Sequence, residues 1–139
     1  MAKKETKDTK FYVGIGITLL LLIALFVFFP TQRMQLSGSE FMQTFSKTSD
    51  AVLLDVRTPT EFAAGHIDQA INVDYEDATF ESEIKKLDPS KTYFVYCRSG
   101  NRSGKSITIM RANGFQHIYE LAGGVVSSKD SIKLIPLSI

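Results

Sequence analysis

Residues 92–103 read TYFVYCRSGNRS, and the rest of the chain is best understood from this stretch outward. Thr92–Tyr96 is aromatic and β-branched, the composition of a strand. CRSGNR, residues 97–102, is too polar and glycine-bearing to continue that strand and reads as a loop. From Ser103 to Asn113 the apolar residues Ile107, Ile109 and Met110 fall at helical spacing, and Gly114 stops the run. The order is strand, polar loop, helix. A cysteine therefore stands at the carboxyl end of a strand, directly before a helix N-terminus.

The flanking segments repeat this alternation. Ser37-Gly38-Ser39-Glu40 has the form of a capping box, with Leu36 and Phe41 as its hydrophobic staple and Phe41, Met42 and Phe45 as an apolar helix face. Ala51–Val56 (AVLLDV) is a short apolar run, as in a strand covered on both faces. Thr58-Pro59-Thr60-Glu61 is a second capping box, with proline at the first helical position. Ala70–Val73 reads as a strand. Phe80, Ile84 and Leu87 mark a helix that Asp88-Pro89 ends. Gln116–Leu121 is another strand, and Gly123-Gly124 a turn. Strands separated by helices predict an α/β domain, with a mostly parallel sheet flanked by helices. Ligands in such sheets sit at the carboxyl ends of strands, where residues 97–102 lie.

The N-terminal part differs in kind. Residues 1–10 hold Lys3, Lys4, Lys7 and Lys10 against Glu5 and Asp8, while residues 11–29 (FYVGIGITLLLLIALFVFF) hold no charge. Nineteen residues of helix reach about 28 Å, close to the roughly 30 Å hydrocarbon core of a bilayer. The expected organisation is a basic cytoplasmic head at 1–10, one transmembrane helix at 11–30 and a domain at 31–139 with its core at about 36–126. Lysines before the span outnumber the basic residues just after it, which places the domain outside the cytoplasm, on a single-pass anchor. The run exceeds a signal-peptide apolar region, and no small-x-small site follows it. The lipid bilayer is thus the expected partner of residues 11–29.

Composition narrows the function. Sixteen basic and fifteen acidic residues leave a net charge of +1, unlike a polybasic nucleic-acid binder. One cysteine and two histidines cannot furnish a four-ligand structural zinc site, and a single cysteine makes no intramolecular disulfide. His66 and His117 lack partners at catalytic spacing and read as structural. Asp74, Glu76, Asp77, Glu81 and Glu83 read as a solvated acidic face rather than a metal site.

The loop itself carries chemistry. Inward N–H groups, the positive end of the following helix and the charges of Arg98 and Arg102 all favour a thiolate at Cys97 over a thiol. Gly100 supplies the positive φ that such a curl needs. A thiolate so placed is a nucleophile, and the cradle around it suits an anion.

These residues resemble the rhodanese-like sulfurtransferases. Cys97-Arg98-Ser99-Gly100-Asn101-Arg102-Ser103 is similar to that family's active-site loop. Leu54-Asp55-Val56-Arg57, Glu61-Phe62, Gly65-His66-Ile67 and Ala70-Ile71-Asn72-Val73 resemble its N-terminal signature in order, and Gly123-Gly124 its C-terminal turn. The resemblance implies a three-layer rhodanese-like domain and a two-step sulfur transfer. Cys97 takes the outer sulfur of a small anionic donor such as thiosulfate and passes it to cyanide or a thiol. It implies substrate binding by Arg98, Ser99, Gly100, Asn101 and Arg102, support from Asp55, Arg57 and Ser103, and no metal or organic cofactor. Asp68-Gln69 stands where the family often has Pro-Gly. The tryptophan often found after the Gly-Gly turn is missing, which leaves the structure of 127–139 open.

Three other chemistries could be written on parts of this pattern. Phosphatase or arsenate-reductase chemistry on this fold uses Cys-x5-Arg, whereas Cys97 and Arg102 are spaced Cys-x4-Arg. A nucleotide P-loop ending in Gly104-Lys105-Ser106 would need glycine at 99, which is serine. A membrane-tethered persulfide carrier, or a binding module with little catalysis of its own, shares every feature above, and a reducing or sulfur-accepting protein partner belongs to that reading.

Overall fold

The computed structural model describes residues 34–137. The head at 1–10 and the span at 11–30 lie outside the described residues. Among the described residues no helix is long and apolar enough to cross a membrane.

Five strands form one sheet: β1 (Met34–Leu36), β2 (Ala51–Asp55), β3 (Ile71–Asn72), β4 (Thr92–Tyr96) and β5 (Ile118–Leu121). Their order is β1-β5-β4-β2-β3, and every pairing is parallel. Parallel neighbours need crossovers, which the helices supply. These are α1 (Gly38–Lys47), α2 (Pro59–Ala64), α3 (Phe80–Ile84) and α4 (Asn101–Ala112). The expected α/β architecture is therefore present.

The pleat divides β4 between two cores. Tyr93 and Val95, with Cys97 beyond the strand end, face one layer with Leu54, Ile84, Ile107 and Met110. Phe94 and Tyr96 face the other, with Phe41, Leu53 and Leu121. Helices α3 and α4 thus cover one face and α1 the other, which fixes the central strands within three layers. Phe94 meets Phe41 and Phe45 edge-on, at 5.3 and 5.5 Å between ring centroids.

Several boundaries move. β1 was not anticipated; it is an edge strand of three residues, defined by its register with Tyr119–Leu121 rather than by any pattern of its own. The strand expected at Ala70–Val73 contracts to Ile71–Asn72. The helix expected from Ser103 begins at Asn101, because Gly100, at φ +91°, turns the chain into it two residues sooner. The segment after Ser127 forms no α-helix among the described residues. It runs back along α2, where His66 and Ile135 exchange backbone hydrogen bonds of 2.9 and 2.8 Å. Ile132 is buried in the α1-side core.

Candidate active site

Cys97 leaves β4 at its carboxyl end and is 1% exposed. Its Sγ accepts the Gly100 N–H at 3.1 Å and lies 3.4 Å from the Ser103 hydroxyl. The Gly100 donor points inward because the loop carbonyls are tied elsewhere. Cys97 O accepts the Val125 N–H and Arg98 O the Val126 N–H, both at 3.1 Å. The turn that supplies those donors passes very close. A Cβ on Gly124 would stand 2.5 Å from the carbonyl carbon and oxygen of Arg98, a separation that only glycine tolerates. Gly123-Gly124 is thus a clamp that presses the cysteine loop into its curl.

The remaining loop residues divide sharply. Arg98, Ser99 and Asn101 are exposed, whereas Ser103 is buried. Arg102 points from the first turn of α4 to Glu61, whose carboxylate accepts from Nη1 at 2.7 Å and from Nη2 at 2.9 Å. Glu76 lies 3.5 Å from the same guanidinium. The Arg102 bond is the largest influence on Glu61 and holds that carboxyl at about 2, well below its ordinary range. Arg102 is raised reciprocally, chiefly through Glu61. Glu61 has a second duty: it closes the Thr58 capping box, with Thr58 N–H donating to it at 3.2 Å and Glu61 N–H donating to Thr58 Oγ1 at 3.3 Å.

Asp55 and Arg57 lie beside the loop, since Asp55 is in register with Tyr96. Arg57 Nη2 donates to Asp55 Oδ2 at 2.6 Å and to Gly65 O at 2.7 Å, and Nε donates to both carboxylate oxygens at 3.0 Å. The guanidinium carbon stands 5.6 Å from the Tyr96 ring centroid. Burial, reinforced by the Asp55 charge, pushes the Tyr96 phenol well above its ordinary range. Its hydroxyl accepts the Ile67 N–H at 3.1 Å.

A cavity of about 390 Å³ opens next to this pair, lined by Arg57, Arg98 and Lys129 and by apolar Val125, Val126 and Leu134 among others. Its three basic groups, against the single carboxylate of Glu61, suit an anion; Leu134 and Lys129 of its lining come from the segment after Ser127 whose structure the sequence left open, while Val125 and Val126 follow directly on the Gly-Gly turn. His66 stacks on Phe62 at 3.9 Å and hydrogen-bonds Phe62 O, away from Cys97. Among the described residues no three acidic, histidine or cysteine side chains are grouped to hold a metal.

One buried polar residue escaped the sequence reading. Glu120 on β5 is 0% exposed; its carboxylate accepts Ser103 Oγ–H at 2.7 Å and Gln35 Nε2–H at 2.9 Å. Alternation within the strand places Glu120 on the Ile118 side, facing α4. Only the close pairing of β1 and β5 brings Gln35 to it.

The parallel α/β sheet with a cysteine loop at a strand's carboxyl end can be set beside known proteins. The family model described as Rhodanese-like domain matches residues 38–130, and the chain belongs to that family of sulfurtransferases. A protein named Sulfurtransferase from Allochromatium vinosum is 30% identical over 94 residues, spanning 67% of this chain and 85% of that protein. A tRNA uridine(34) hydroxylase from Buchnera aphidicola is 31% identical over 94 residues, but the chain spans only 28% of that protein's length. The crystal structure of a rhodanese-related protein from Thermoplasma volcanium matches with a TM-score of 0.64 at 25% identity, covering 75% of this chain and 98% of that one.

Proposed function

We propose that this chain moves sulfane sulfur from a small anionic donor, of which thiosulfate is the simplest, to cyanide or a thiol through a persulfide on Cys97. The observation that carries this reading is the Gly100 N–H aimed at Sγ, in a loop whose carbonyls are turned outward. A backbone donor at that position stabilises negative charge on sulfur without itself giving up its proton. The thiolate attacks the outer sulfur of thiosulfate; the S–S bond breaks, sulfite leaves with its electron pair, and Cys97–S–S⁻ remains. Attack by the acceptor on the outer sulfur then restores the thiolate. Arg98 and the basic cavity beside it hold the anionic donor, whereas Arg102, engaged by Glu61, orders the loop.

Intact mass of the protein after thiosulfate treatment tests this. A gain of one sulfur atom, removed by cyanide and absent in Cys97→Ser, is the expected result; an unchanged mass rejects the assignment.

We further propose that residues 11–29 anchor the protein in a bilayer with the lysine head cytoplasmic and the domain outside, where a reducing or sulfur-accepting protein serves it. The support is the uncharged run and its flanking lysines. Protease applied to cells with an opened outer barrier should remove the domain; digestion only after complete lysis would reverse the orientation.

A further inference from the structure

The Cys97 thiol has to lose a proton before it can attack, and the geometry offers one continuous path for it. Sγ stands 3.4 Å from Ser103 Oγ, and Ser103 Oγ stands 2.7 Å from Glu120 Oε1. A hydroxyl has a single proton. With that proton directed to the Glu120 carboxylate, a thiol at Cys97 donates its S–H to Ser103 Oγ. Reversal of the chain leaves Glu120 as a carboxylic acid donating to Ser103, and Ser103 donating to Sγ. The thiolate then receives two hydrogen bonds, from Gly100 and from Ser103.

We propose that Glu120 is a positioning residue that takes up the Cys97 proton through the Ser103 hydroxyl, so that thiol and buried carboxylate share one proton. The S–H bond breaks and a serine O–H forms; the former serine O–H breaks and a Glu120 O–H forms. Thiol plus carboxylate becomes thiolate plus carboxylic acid, with serine unchanged. No net charge is created in the interior, which lowers the cost of ionising a buried sulfur. Gln35 Nε2 fixes the other carboxylate oxygen at 2.9 Å and keeps Oε1 turned to Ser103. When the persulfide forms, its charge sits on the outer sulfur in the cradle and Glu120 retains the proton. When that sulfur departs, the proton is available to the restored thiolate.

The groups around Glu120 are compatible with this sharing. β1 presents neutral Gln35, and β4 presents Val95 in register, with Cys97 beyond it. On α4, Ser103 faces the carboxylate, while Arg102 turns to Glu61 and Glu76 and Lys105 is exposed. On β5's own approach, His117 is exposed.

The inference rests on Cys97 being the reactive sulfur, and Cys97 is the only cysteine, so alkylation reports on it alone. The rate of reaction with iodoacetamide is measured against pH in the full chain and in Glu120→Gln, an isostere whose neighbour Gln35 can flip to match it. Two groups that share a proton titrate in two coupled steps. The expected wild-type profile rises in two stages with an intermediate plateau, and the Glu120→Gln profile in one. Ser103→Ala should lower the neutral-pH rate about tenfold, the worth of a hydrogen bond to a charged group. Superimposable profiles for wild type and Glu120→Gln, or a single stage in wild type, overturn the proposal.

If the variants do not fold, the wild type decides. Loading Cys97 with sulfur should bring up a protonated-carboxyl stretch in the infrared difference spectrum, and its absence overturns the proposal. Alkylation needs no sulfur donor, so the two readings fail separately. Two-stage alkylation without sulfur uptake rejects the sulfurtransferase; normal uptake with one-stage alkylation rejects the relay.

Discussion

Two loops leave the carboxyl end of the sheet from adjacent strands, and they treat their buried polar groups in opposite ways. After β2, the Asp55 carboxylate pairs with the Arg57 guanidinium through Nε and Nη2. Arg57 Nη2 also donates to Gly65 O, and Asn72 Nδ2 donates to Asp55 O and Arg57 O at 3.0 and 2.8 Å. After β4, Cys97 Sγ has one backbone donor and one hydroxyl neighbour. The first loop is closed by complementary charges. The second is held from outside, by its own carbonyls, and leaves its buried sulfur with few partners. A buried ion pair gives a fixed wall, and a backbone clamp gives a cradle with spare capacity.

This contrast is broken most directly at Asp55. Asp55→Ala leaves Arg57 charged and 5% exposed with its main partner gone. Removing one member of a buried pair costs about 3–5 kcal/mol, so the urea midpoint should fall sharply at neutral pH. Cys97→Ser, nearly isosteric, should change stability by less than about 1 kcal/mol while abolishing sulfur loading. Equal stability losses in the two variants would mean that the loops do not divide their work in this way.

How far each loop could be read from sequence follows the same division. Local patterns were legible: the Thr58–Glu61 capping box, the β2 and β4 runs, and a cysteine loop after β4 are written in consecutive residues. Interactions across the chain were not. The Arg102–Glu61 pair joins residues 41 positions apart, and Glu61 already had a sufficient local reason to be there as the third residue of its capping box. Asn101 and Arg102 add no apolar periodicity, so the start of α4 was hidden until the Gly100 backbone showed it. Glu120 interrupts the apolar pattern of β5. A charge inside a strand gives no sign of being buried until β1 and α4 close over it. The tail after Ser127 has no helical or strand period and owes its course to pairing with His66.

The Arg102–Glu61 pair lies between these extremes, and acid separates it from the rest. Glu61 is depressed from an ordinary value of 4.5 to about 2 in the folded chain. A carboxyl depressed by folding contributes its full stabilisation above the unfolded value and loses it as pH falls toward the folded one. The pair should therefore weaken between about 4.5 and about 2. Glu40, Asp77, Glu81 and Asp88 also lie below their ordinary ranges, but through bonds to exposed neighbours that a Glu61 variant keeps. Their effects cancel in the difference between wild type and Glu61→Gln. Glutamine still serves the capping box, so the variant removes the charge and not the helix start. Urea midpoints across that window should show wild type losing on the order of 2 kcal/mol relative to Glu61→Gln, allowing for partial exposure of the pair. Parallel curves would mean that the Arg102 guanidinium is not held by Glu61 in solution, and would return Arg102 to the groups free to meet an anionic donor.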